Sequence, residues 1–130
     1  MRPHDWPERL HAFIEARRRS PFAWGSNDCC IFAADWVLGC TGVDHAAELR
    51  GYSDEKGALR RIRKAGSLRA FAQALKEKPP AFAQRGDVVL VLIEERETFG
   101  VVSGNGLYCA PGPDGLVFRT LREAVAAFEV

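Results

Sequence analysis

Helical periodicity in the first half and strand periodicity in the second predict an α+β domain, with a buried central helix packed on a C-terminal antiparallel sheet. Three observations carry this expectation. Residues 29–38 (CCIFAADWVL) are apolar nearly all round, with Asp35 the one charged residue, as in a helix enclosed by a core. Residues 88–93 (VVLVLI) form an unbroken apolar run, the mark of a strand buried on both faces. Gly104-Asn105-Gly106 lies between two apolar stretches, where Asn-Gly signals a tight hairpin.

The elements follow in order. Asp5 is placed to cap a first helix, with Pro7 in its first turn and Glu8 completing an Asp-x-x-Glu box. Trp6, Leu10, Phe13 and Ile14 fall on one face, and Arg17, Arg18 and Arg19 end the helix before Pro21. Asn27 or Asp28 caps the central helix near Cys29, and Gly39 or Gly42 ends it. Residues 54–65 and 67–76 read as two short amphipathic helices, the first with Arg60, Arg61, Arg63 and Lys64 on its outer face. Pro79-Pro80 breaks the helical half from the rest. Beyond the 88–93 strand, Glu94 to Glu97 turn the chain, and residues 99–103 and 107–109 form the hairpin. Pro113-Asp114-Gly115 turns into residues 116–118, and Thr120-x-x-Glu123 caps a last helix through about Ala127.

Length and composition set the bounds. At 130 residues the chain fits a single domain, 1–130, large enough to bury its own core without a staple. Apolar residues at 47% and charged residues at 27% are an ordinary globular balance. A net charge of +1 argues against nucleic acid as a bulk partner. No stretch approaches the length of a membrane span, so no membrane insertion is expected. The opening MRPHDWPERL lacks the pattern of a signal peptide, which makes the cytosol the expected place of folding. Cys29, Cys30, Cys40 and Cys109 are then expected as free thiols. With no Cys-x-x-Cys pair and no nearby histidine except His45, neither a metal nor any other cofactor is expected.

Asp28-Cys29-Cys30 is the one chemically suggestive constellation. A helix N-terminus favours thiolate over thiol, so a cysteine there has a physical reason to be reactive. It would still need a base, normally a histidine within hydrogen-bond reach. The other reading is that Cys29 and Cys30 are packing residues beside a capped turn.

The order Trp24-Gly25-x-x-Asp28-Cys29, a buried helix, Arg85-Gly86-Asp87-Val88-Val89, then residues 99–106 (FGVVSGNG) resembles the NlpC-type cell-wall peptidases of the papain-like fold. More closely, the chain is similar to a family of small phage and prophage tail proteins with the same outline. That second likeness extends over Thr41-Gly42-Val43-Asp44, Arg50-Gly51-Tyr52 and Gly112-Pro113-Asp114-Gly115-Leu116. The resemblance implies Cys29 as nucleophile, but the histidine expected two positions before Gly100 is Thr98. The third, polar position falls near Cys109 or Ala110, and His4, His11 and His45 all lie outside this hairpin.

A missing general base forfeits roughly 10²–10⁴-fold in rate. The expectation is therefore a degenerate peptidase fold that binds rather than hydrolyses. It would sit in a virion tail assembled in the host cytoplasm, docked on a tail-tip hub or distal-tail protein. The expected docking surface is a vestigial cleft near Trp24, Asn27, Phe99 and Tyr108, with the basic helix as the rival surface. The alternative is an active peptidase or amidase on peptidoglycan, acting through Cys29 with a base from His45, His11 or a partner.

Overall fold

The computed structural model describes residues 2–130 and gives the expected α+β architecture. Helices α1 (Trp6–Arg17), α2 (Cys29–Thr41) and α3 (Glu55–Ala65) precede six strands. These are β1 (Lys76–Lys78), β2 (Val88–Ile93), β3 (Arg96–Gly104), β4 (Leu107–Gly112), β5 (Gly115–Thr120) and β6 (Ala124–Glu129). They form one antiparallel sheet in the order β1-β6-β2-β3-β4-β5.

The central helix is set by its ends and its surroundings. Asp28 accepts a hydrogen bond from the Ile31 amide at 2.9 Å, and Gly42 closes the helix in the left-handed conformation. Phe32 and Trp36 are fully buried, and the Phe13 ring of α1 lies 5.0 Å and 5.7 Å from theirs. The Trp36 indole N–H donates to the Gly86 carbonyl at 2.8 Å, tying α2 to the turn before β2. Val88, Leu90, Phe99, Val101 and Cys109 join α2 in the main core, while Val89, Val91, Val102, Tyr108 and Ala127 form a second cluster. Strand β2 is thus enclosed on both faces as far as Val91; Leu92 is half exposed.

Several local expectations are corrected. Asp5 stands at the N-cap of α1 but its carboxylate takes the Arg9 guanidinium at 2.9 Å instead of a backbone amide. Residues 67–76 do not make an α-helix: Leu68–Ala72 is a 3₁₀ segment, and the chain then extends into β1, which pairs with β6. The expected last helix is a 3₁₀ turn at Leu121–Glu123 followed by β6. Only Glu94 and Glu95 form the turn between β2 and β3, with β3 starting at Arg96. Arg61 points inward, donating to the carbonyls of Leu49 and Arg50, so it does not belong to the outer basic face.

Candidate functional site at the start of the central helix

The turn before α2 is built around Gly25 and Asp28. Gly25 has φ +80°, and a Cβ there would fall 1.9 Å from the Tyr52 carbonyl oxygen, so only glycine fits. Asp28 is buried, and its two oxygens do different work. One caps α2; the other accepts the Gly25 amide at 2.9 Å and the Tyr52 hydroxyl. Tyr52 therefore belongs to the site, although sequence reasoning named it only within the Arg50-Gly51-Tyr52 motif. Burial and the Asp28 carboxylate push its phenol well above the usual range, so it acts as a donor, not a base.

Cys29 opens α2 and is partly accessible. It lines a cavity of about 500 Å³ together with Trp24, Tyr52, Leu59, Ile62 and Thr98. Burial pushes its thiol up to about 11. The Phe99 backbone N–H and the first helical N–H groups pull the other way, and the Asp28 carboxylate adds to the rise. Desolvation outweighs the helix terminus, so the neutral thiol is the favoured form at pH 7. Cys30 is buried beside it and its thiol is pushed higher still by burial and by Cys29.

Among the described residues no histidine lines this cavity. Thr98, in the position expected for the base, does. His4 and His11 are exposed near the start of the chain, and His45 lines a separate small cavity with Cys30, Phe71 and Phe99. Cys109 and Ala110, near the third position, are buried and carry no carboxylate or imidazole.

Of the four residues expected to form a docking surface, only Trp24 lines the cleft, its ring edge-on to Phe22 with centroids 4.8 Å apart. Asn27 is buried in local structure: its amide donates to the Ser20 and Pro21 carbonyls at 3.1 and 2.9 Å. Phe99 is 3% exposed in the main core. Tyr108 lies in the second cluster, fully buried, with its hydroxyl donating to Glu123 at 2.9 Å. Its ring covers Gly100, where a Cβ would meet Tyr108 Cδ2 at 2.4 Å, which explains that glycine. Strand alternation was the available signal, since side chains two apart share a face and adjacent ones do not. Among the described residues no group of three or more His, Cys, Asp or Glu side chains is placed to hold a metal ion.

A cysteine opening a buried helix that packs on an antiparallel sheet, beside a cleft, defines a domain of the papain-like, NlpC/p60 architecture. A solved structure described as the crystal structure of the NlpC/p60 domain of peptidoglycan hydrolase SagA is similar to it, with a TM-score of 0.65 over 95% of this chain and 98% of that one. Identity between the two is 16%, so the likeness is one of fold. Residues 1–130 match the family described as Domain of unknown function (DUF6950), and the chain belongs to that family. No curated protein matches the chain.

Proposed function

We propose that this domain is a binding protein on an NlpC/p60-type fold without hydrolytic chemistry, which docks through the cleft beside Cys29 on a phage-tail hub or distal-tail protein. The observation that supports the loss of hydrolysis is the cavity lining: Cys29 and Thr98 both line it, and among the described residues no imidazole does. The tail setting is supported by the ordered motifs from Trp24-Gly25 to Gly112-Pro113-Asp114-Gly115. Trp24, at the cleft and half-buried, is the aromatic anchor that such an interface uses.

One observation favours a second reading, an active peptidase or amidase on peptidoglycan: Cys29 is at a helix N-terminus and open to a cavity of about 500 Å³. Release of soluble muropeptides from purified peptidoglycan, compared between the native domain and Cys29→Ala, separates the two. The expected outcome is no release above background from either. Release that disappears in Cys29→Ala would establish the peptidase. Incorporation of Trp24→Ala into assembled tails tests the docking: a folded variant that still incorporates normally removes the cleft as the interface.

A further inference from the structure

The cavity beside Cys29 has an apolar floor and a charged rim. Trp24, Ile62, Ile93 and Pro111 supply the floor, with Leu59 exposed at its edge; Glu94, Arg96 and Glu97 of the β2–β3 hairpin supply the charges around it. The rim charges do not cancel. Arg96 pairs with Glu55 of α3 at 2.9 Å, and Asp28 is satisfied by the helix start and Tyr52. Glu94 and Glu97 have no ion-pair or hydrogen-bond partner through their side chains among the described residues. Lys56, Arg60 and Arg63 of α3 do not line the cavity, although Lys56 and Arg63 flank Leu59 on the helix.

The hairpin backbone adds a second observation. Glu94 and Glu95 hold φ of +52° and +67°, a conformation that L side chains rarely adopt. The next hairpin in the same chain meets the same demand with Asn105 and Gly106, residues suited to it. A turn that keeps glutamates where Asn-Gly would fit more easily is strained at the edge of a cleft, where strain and binding commonly coincide.

We propose that this cleft receives an extended segment of a partner protein in which an apolar side chain is followed by lysine or arginine. The apolar group rests on the floor near Trp24 and Ile62, and the cation pairs with Glu94 and Glu97. This inference rests on the binding reading above and gives its partner a chemistry.

The probes are three capped octapeptides, identical except for a central Leu-Lys, Leu-Glu or Ser-Lys, titrated into the full ¹⁵N-labelled chain at low salt. The Leu-Lys peptide is expected to shift the Trp24 indole and residues 93–98, and to bind about fivefold tighter than either of the others. In a Glu94→Gln/Glu97→Gln variant the preference for Leu-Lys over Leu-Glu is expected to vanish while the Trp24 shift remains. Equal binding of Leu-Glu, shifts confined to Lys56, Arg60 and Arg63, or no shift at all would overturn the inference. So would a soluble muropeptide that shifts the same resonances more strongly than Leu-Lys. None of these outcomes depends on Cys29, so they are distinct from the Cys29-dependent release that would overturn the binding reading itself.

Discussion

Cys29 shows two opposing effects acting on one atom. The helix terminus and the Phe99 amide favour the anion, while burial and the Asp28 carboxylate favour the neutral thiol, and burial is the larger. Alkylation of Cys29 by iodoacetamide should therefore quicken about tenfold per pH unit from 7 to 10, without levelling off in that range. A plateau near pH 7, read by mass spectrometry of the modified peptide, would mean an activated thiolate and would restore the enzyme reading. Asp28 is the residue on which the site geometry turns, since it holds the Gly25 turn, the α2 start and the Tyr52 hydroxyl together. Asp28→Ala should cost about 2–3 kcal/mol in urea unfolding, from a lost cap and an orphaned buried hydroxyl. A loss below about 0.5 kcal/mol would show that the cap and the Tyr52 bond contribute little.

The β2–β3 and β3–β4 hairpins form a natural comparison among the elements. Both are two-residue turns with positive φ, but one uses Glu94-Glu95 and the other Asn105-Gly106. Replacing Glu94-Glu95 by Asn-Gly should raise stability by about 1–2 kcal/mol and the melting temperature by about 3–6 °C. An unchanged or lower melting temperature in calorimetry would show that the turn is not strained. Elements with a complete local signal were legible in the sequence: α2 from its all-round apolarity, β2 from its β-branched run, and the β3–β4 hairpin from Asn-Gly. The misread ones were decided elsewhere in the chain. Lys78 precedes Pro79, which favours an extended backbone, and Lys76–Lys78 then completes the edge of β6. Residues 124–129 could have continued a helix locally, but the buried β2 needs a partner on its open edge, and β6 is that partner. Glu123, which a helix would have used in its capping box, is held by Arg119 and Tyr108. The position of the candidate site was legible, with Asp28 capping α2 and Cys29 opening it. Phe99 and Tyr108 are not cleft residues because pairing in the sheet turns Phe99 into the main core and Tyr108 into the second cluster.

At the scale of the whole molecule, β6 returns from the end of the chain to lie between β1 and β2, and Asp87 anchors that closure. Its carboxylate is fully buried at the start of β2. Arg2 reaches it at 2.7 Å and Lys78 at 2.6 Å, while the Gln84 amide donates to it at 2.8 Å. The same Arg2 guanidinium also donates to the Val130 and Arg85 carbonyls, both at 2.7 Å. Three segments distant in sequence, at Arg2, Lys78 and Val130, thus converge on one charge that the sequence showed only as part of an Arg-Gly-Asp motif. Removing that charge leaves Arg2 without a counter-ion and Lys78 with only Glu129, at 3.7 Å, and breaking a buried pair from one side costs about 3–5 kcal/mol. Asp87→Asn, nearly equal in volume, should therefore lower the unfolding free energy by about 3 kcal/mol. Arg119→Ala serves as the contrast, because its pair with Glu123 is largely exposed and should cost no more than about 1 kcal/mol. Raising NaCl to 0.5 M should shrink the Arg119 effect but leave the Asp87 effect standing, since a buried pair is little screened. If Asp87→Asn costs less than Arg119→Ala in urea titrations at either salt concentration, the buried cluster does not hold the sheet closed.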